Sequence, residues 1–507
     1  MKAPENLVNL EHWLCTEYEQ LEYRLLQCLP DRARVIVILA AVLGIASANL
    51  AALGALAHAL EGTLRISDAR FGLVGTVASL SGAVLTLIAG VWVDRRNRVH
   101  LLAIFAAVWA GGMAASGLIS GYLELLLAQV FVGASRISVG AVVASLTGDY
   151  FPPSQRGRIF GLIVGGELVG AGLGMLVASL VGNLLGWRFA FWSLALLGAL
   201  GVWVIRHYLR EPQRSGMGKL AQGSASATST RPTPGHRKVA ELIHSLDIQP
   251  FSHRVLREDP TCWSWWRAAR YIVTIRTNII LVLGSSASYF YFTGLLVFAD
   301  LYLMQRFDLP SDTASVLFMA LGSGGVLGVL FSGWLADRLL HRHIVAARVW
   351  VAAGAFFLTV LAFLPAFLLT SVWVAAPCFF LAALFLGATN PTLDAARLDI
   401  MHSRLWGRAE SVRNLVRYTL VGLAPLMIGL LVDQLLGHSL DGARALGHAF
   451  LILLVLLLLA GIAMIFAAFT YPRDVATVLV SEHVLTESTP ATDTDTAPHL
   501  ARIRTDS

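Results

Sequence analysis

Long apolar stretches, broken by short polar segments rich in arginine, occupy the chain from about residue 35 to residue 470. A helix needs about 20 apolar residues to cross a bilayer, at about 1.5 Å of rise per residue. Twelve stretches reach that length, near 35–58, 71–93, 101–120, 124–147, 159–182, 187–207, 277–303, 312–335, 344–364, 371–393, 411–432 and 448–470. The expected fold class is an all-α polytopic membrane protein. A β-barrel does not fit, because barrel strands are short and alternate in polarity. Glycines inside spans, as in Gly170-Ala171-Gly172-Leu173-Gly174, read as seams where helix backbones approach closely.

The segments outside the spans differ among themselves. Leu7, Leu10, Leu14, Tyr18, Leu21, Leu25 and Leu29 recur at helical spacing opposite a row of glutamates, which predicts an amphipathic helix within 1–34. Residues 208–270 form a linker between two bundles, 35–207 and 271–470. Its 215–236 portion reads as flexible, and Trp263, Trp265, Trp266, Arg267 and Arg270 as an interfacial anchor. The tail 471–507 reads as disordered. Arginines concentrate in alternate loops (Arg95, Arg96, Arg98; Arg156, Arg158; Arg338, Arg342; Arg404, Arg408), which places those loops, both termini and the linker in the cytoplasm.

Composition sharpens this. The 507 residues are 56% hydrophobic and 14% charged, against about 45–50% and about 25% in soluble domains. That leaves little room for a soluble enzyme. The net charge of +6 is spread over loops, which argues against nucleic acid as a partner. Four cysteines without a CxxC spacing point to neither a disulfide scaffold nor a metal site. There is no P-loop, HExxH or GxSxG motif, so neither nucleotide hydrolysis nor a cofactor is expected. Arginine far outnumbers lysine, and a bacterial plasma membrane is the expected location.

The two halves share a signature. Gly90-Val91-Trp92-Val93-Asp94-Arg95 follows the second span and Gly333-Trp334-Leu335-Ala336-Asp337-Arg338 the eighth. Asp149 precedes Gly157-Arg158 after the fourth span, as Asp399 precedes Gly407-Arg408 after the tenth. Matching motifs in matching order mark a duplicated six-helix unit, common in secondary transporters. Gly90, Asp94, Arg95 and Arg98, with the second copy at 333–342, resemble the loop signature of the major facilitator superfamily. The resemblance implies alternating access. It also implies that Asp94 and Asp337 dock on helix ends of the opposite half, with Arg158 and Arg408 pairing across the same seam. Ile66-Ser67-Asp68 before Gly72-Leu73, and the 170–174 glycines, are similar to the spinster-like group of lipid and lysolipid transporters. That group's Asp-Arg pair in the first span is replaced here by Ala52-Leu53, and Gln129 and Arg136 stand where it has arginine and glutamate.

Ionisable groups within spans are costly, and each is a functional candidate. Arg136 lies about 18 Å into the fourth span and Glu167 about 13 Å into the fifth. The two can meet, either as a proton-coupling pair or as a static pair that fixes packing. Asp300 is placed near the outer end of the seventh span. Asp394 and Arg397 either line a cavity or form a helix-surface pair. Arg417 lies deep enough to bind an anion, whereas Arg413 is expected to snorkel. Asn49 faces either substrate or a neighbouring helix. Tyr289, Phe290, Tyr291 and Phe292 cover all sides of their helix, so only some can face inward. These features lead to an expected monomeric secondary transporter in contact with membrane lipid. It would export an amphipathic organic molecule in exchange for protons, with import of a small organic anion, or a non-transporting scaffold, as alternatives.

Overall fold

The computed structural model describes residues 31–66, 68–212, 248–342, 344–436 and 442–487. The expected N-terminal amphipathic helix, the 215–236 linker portion and the end of the tail lie outside them. Among the described residues, twelve helices are long and apolar enough to span a membrane. The first half contains α1 (Asp31–Leu64), α2 (Asp68–Arg95), α3 (Arg98–Ser116), α4 (Tyr122–Tyr150), α5 (Arg156–Leu185) and α6 (Trp187–Tyr208). A short α7 (Trp265–Thr274) precedes the second half. That half contains α8 (Arg276–Phe307), α9 (Ser311–His341), α10 (Ala347–Leu368), α11 (Val372–Asp399), α12 (Trp406–Leu436) and α13 (Gly442–Glu487).

Local chemistry sets the breaks between helices. Asn97 caps α3 by accepting the His100 N–H at 2.8 Å. Gly186, at φ 98°, makes the left-handed corner between α5 and α6 that a side chain would disfavour. Asp308, at φ 52°, ends α8.

Each half packs α1 on α5, α2 on α4 and α3 on α6, or their counterparts α8 on α12, α9 on α11 and α10 on α13. The halves meet along two seams related by the same repeat, α2 against α12 and α5 against α9. On the outside, Leu184 is 80% exposed and Trp373 86% exposed. An apolar surface this extensive is unsuited to water and suits lipid. The chain is a multi-pass membrane protein.

Two expectations need correction. The helices run beyond the apolar stretches into polar residues, so α12 includes Glu410, which hydropathy leaves in a loop. The tail is helical to Glu487 rather than disordered from 471. Residues 471–487 alternate apolar and hydrogen-bonding positions on one helix. Val475 and Ala476 are buried, and Asp474, Thr477 and Ser481 bond to Arg254, Phe251 N and Leu256 N. The composition typical of disorder begins only after this stretch.

Candidate functional site

Each seam is closed at the end carrying the basic loops by an aspartate set on the first turn of a helix from the other half. Asp94, at the end of α2, accepts the Gly407 N–H at 2.7 Å and the Arg408 N–H at 3.1 Å. The Arg408 Nε also donates to it, at 2.6 Å. Asp337, at the end of α9, accepts the Gly157 and Arg158 N–H groups at 3.1 and 2.7 Å. A carboxylate here satisfies helix-end N–H groups that have no partner within the helix, and it meets the positive end of the helix dipole. The glycines are needed for the approach. A Cβ on Gly90 would sit 2.6 Å from the Gly407 carbonyl oxygen, and one on Gly333 would sit 2.2 Å from that of Gly157.

The arginines divide the work differently from the expectation. Arg408 pairs with Asp94 across its seam. Arg158 contributes its backbone N–H, and no ion pair of its side chain is found among the described residues. Its place is taken by Arg348 on α10, which reaches Asp337 at 3.1 Å and also binds Asp399 and the Pro153 carbonyl. Arg156 adds an ion pair to Asp399 at 3.1 Å across the same seam. Arg98 acts on Asp149 of its own half and on Glu211, at the start of the linker, at 2.7 Å. Arg338 is exposed, with its guanidinium 5.0 Å from the centre of the Trp334 ring. Arg95 reaches out of its half to the linker, donating to the carbonyls of Thr261 at 3.1 Å and Trp263 at 2.9 Å.

Farther from the gate lies a polar cavity of about 50 Å³ between the halves. Ser47, Arg136, Gly140 and Glu167 line it from one half, and Tyr289, Asp394, Glu410, Arg413, Arg417 and Tyr418 from the other. Arg136 and Glu167 both face it but form no ion pair with each other in this conformation. Glu167 accepts instead from the Ser47 hydroxyl at 2.8 Å, and Arg136 lies 5.3 Å from the centre of the Tyr418 ring. Arg413 does not snorkel. It is buried between Asp394 and Glu410, and Arg397 pairs with Glu410 at 2.5 Å. Arg417 is buried against the rings of Tyr289 and Tyr418, at 4.4 and 4.8 Å, and its Nε has no hydrogen-bond partner. Tyr418 thus lies between a cation from each half. Among the described residues, neither Arg136 nor Arg417 has a carboxylate within ion-pair distance.

A second cavity, of about 360 Å³, adjoins the first, with Val164 and Tyr289 lining both. Its walls are largely apolar and include Phe292, Phe318, Phe363, Phe367 and Phe379. Of the four consecutive aromatics, Tyr289 and Phe292 face this space, while Phe290 and Tyr291 are buried in helix packing. Asn49 bonds to Gln129 at 3.1 Å between α1 and α4 and is not among the residues lining either cavity. Asp300 lies on α8, with its side chain outside what is described.

Sequence reasoning passed over Glu410, Tyr418, Ser47 and Arg348. For Arg348 a signal exists: Arg98 and Asp149 are 51 residues apart, and so are Arg348 and Asp399. For Glu410 the signal is an acidic residue three positions before Arg413, the spacing of a helical ion pair.

Comparison with known proteins agrees with this geometry. The family model described as Major Facilitator Superfamily matches residues 36–425. Protein spinster homolog 1 of Homo sapiens is 26% identical over 311 residues, covering 58% of this chain and 52% of the relative. The hexuronate transporter of Bacillus subtilis (strain 168) is 23% identical over 154 residues, 30% of this chain and 36% of the relative. The chain spans about half the length of the first of these curated relatives. Among solved structures, a bacterial homolog of the human lysosomal transporter Spinster, inward-facing and unoccupied, covers 89% of this chain and is itself covered over 98%. It has a TM-score of 0.53 and 20% identity. The human organic anion transporter MFSD10 (TETRAN) covers 86% of this chain and is covered over 100%, with a TM-score of 0.63 and 18% identity. At these identities the likeness is one of fold.

Proposed function

The chain belongs to the major facilitator superfamily, and from that premise we propose that it is a secondary transporter of an amphipathic organic molecule with an anionic head. The observation that carries this is the adjacency of the two cavities. The apolar chamber shares Tyr289 and Val164 with a polar cavity lined by two arginines that, among the described residues, have no carboxylate within ion-pair distance. A buried cation with an unused donor favours an anion, and a dry aromatic wall favours an acyl or ring system. A sugar would leave most of its hydroxyls unpaired against such a wall. The resemblance to the spinster-like group and the curated spinster relatives support the amphiphile. Hexuronate and organic anion transporters among the relatives support the anionic head.

Proton coupling falls to Glu167 in this reading. Its contact is a neutral hydroxyl, so no ion pair holds it in this conformation. A compact organic anion is the second reading. It would occupy the arginines and leave the aromatic chamber unused.

Thermal unfolding of the purified protein against lysophospholipids, fatty acids, short carboxylates and sugars separates these readings. A ligand at about 100 times its Kd stabilises the folded state by about 2.7 kcal/mol. Stabilisation by anionic amphiphiles that is lost in Arg417→Gln and Arg136→Gln is the expected result. An equal response to short carboxylates would favour the compact anion. Stabilisation that survives both substitutions would overturn the assignment of the head-group site. Flux into vesicles, with the pH gradient set each way, reads direction and coupling, and Glu167→Gln is expected to remove the gradient dependence.

A further inference from the structure

The linker does not treat the two seams alike. Residues 248–264 leave the α13 extension, to which Phe251 N and Leu256 N are bonded through Thr477 at 2.9 Å and Ser481 at 3.0 Å. Arg254 adds an ion pair to Asp474 at 3.0 Å. At the other end the linker enters α7 and then α8. Both ends of this stretch are therefore fixed to the second half. Between them, residues 259–263 cross the α2–α12 seam. Arg408 donates to the carbonyls of Pro260 at 2.9 Å and Trp263 at 3.2 Å, and Arg404 pairs with Asp259. From the first half, Arg95 donates to Thr261 and Trp263. At the other seam Arg338, the repeat counterpart of Arg95, meets among the described residues only the ring of Trp334.

We propose that residues 259–263 are a latch carried by the second half and fastened to the first by Arg95, so that the basic-loop end opens only when the two Arg95 bonds to the linker carbonyls break. A guanidinium can hold two carbonyls at once because its donors form a fixed fork. The acceptors are backbone carbonyls, so the latch depends on the path of the linker more than on its side chains. The proposal rests on the transport reading only in taking that end as one that opens.

The test needs no substrate, so it stands or falls apart from the transport assignment. Gly140 lines the polar cavity and has open space where a side chain would begin. In a background with Cys15, Cys28, Cys262 and Cys378 replaced by serine, Gly140→Cys is modified by a membrane-impermeant methanethiosulfonate. The reagent is applied to vesicles from the face on which Cys262, when retained, is labelled. Arg95→Ala is expected to raise the modification rate about five-fold, the effect of losing roughly one net hydrogen bond's worth of closure. Arg95→Lys, which keeps the charge but lacks the planar fork, should fall between, and Arg338→Ala should match the parent. An unchanged rate in Arg95→Ala, or an equal rise in Arg338→Ala, would sink the latch. General loosening would also expose the half-buried Cys378. A rise confined to Gly140→Cys supports the proposal, and a matching rise at a retained Cys378 overturns it.

Discussion

The two seams descend from one ancestral contact, yet their charges are arranged differently. At the α2–α12 seam, Asp94 is bound by Arg408, which also donates to carbonyls of the linker. At the α5–α9 seam, two carboxylates, Asp337 and Asp399, share Arg348, and Asp399 also holds Arg156 and the Tyr471 hydroxyl. At the first seam the arginine on the carboxylate is also tied to a strap, and at the second Asp399 has more than one cation. Where repeat halves diverge, the seam whose arginine also binds the strap is the one to which regulation can be attached, because a movement of the strap reaches the carboxylate through that side chain.

The largest effect should come from removing an arginine at each seam. Arg408→Ala takes the guanidinium from the buried Asp94, at a cost of about 3–5 kcal/mol. Arg156→Ala leaves Asp399 with Arg348 and the Tyr471 hydroxyl, and should cost about 1–3 kcal/mol. Thermal unfolding of the two variants side by side reads the difference, and an equal or larger loss in Arg156→Ala would erase the contrast.

Next is pH. His402, on the loop beside the strap, accepts the Arg404 N–H through Nδ1 at 3.2 Å. Burial, aided by Arg404 and opposed by Asp259, pushes its pKa down to about 4. The imidazole is neutral when folded, while the unfolded chain takes up a proton below about 6.5. Stability is therefore full above about 6.5 and lost as pH falls toward about 4, by about 3 kcal/mol in all. The counterpart at the other seam is Pro152, which cannot titrate. Equilibrium unfolding across that range should flatten in His402→Gln. A slope unchanged by the substitution would mean the sensitivity lies elsewhere.

The smallest effect concerns the glycines. Gly333→Ala must push a Cβ against a backbone oxygen 2.2 Å away, whereas at Gly90 the corresponding distance is 2.6 Å. Both should hinder closure by about 1–3 kcal/mol, Gly333→Ala more. Cavity cysteine accessibility in the two variants reads the order.

Much of the gate is legible in the sequence, because a contact between helix ends needs particular residues at fixed spacing, and the spacing occurs twice. Asp94 and Asp337 stand out for that reason, and the twelve spans stand out because lipid permits no shorter apolar run. The charge cluster on α11 and α12 is less legible. Arg413 looks like a surface arginine in a single helix, and only the fold brings it to Asp394 on α11. Arg136 and Glu167 show the same limit from the other side: depth along two antiparallel helices puts them in one cavity, but the partners each selects, Tyr418 and Ser47, come from elements whose rotation no spacing records. The helical tail was hidden because residues 471–487 contain Pro472, Asp474 and several hydroxyls, which resemble disorder until their partners in the linker are known.

That tail carries a last consequence. At about 1.5 Å per residue, a helix of 46 residues is about 69 Å long, against a hydrocarbon layer of about 30 Å. The surplus is where Asp474, Thr477 and Ser481 hold the linker. A chain cut after residue 470 would keep almost the whole of every hydrophobic span and lose the posts from which its strap is hung. The boundary of the working machine is therefore set by hydrogen bonds beyond the lipid, and hydropathy alone would draw it too short.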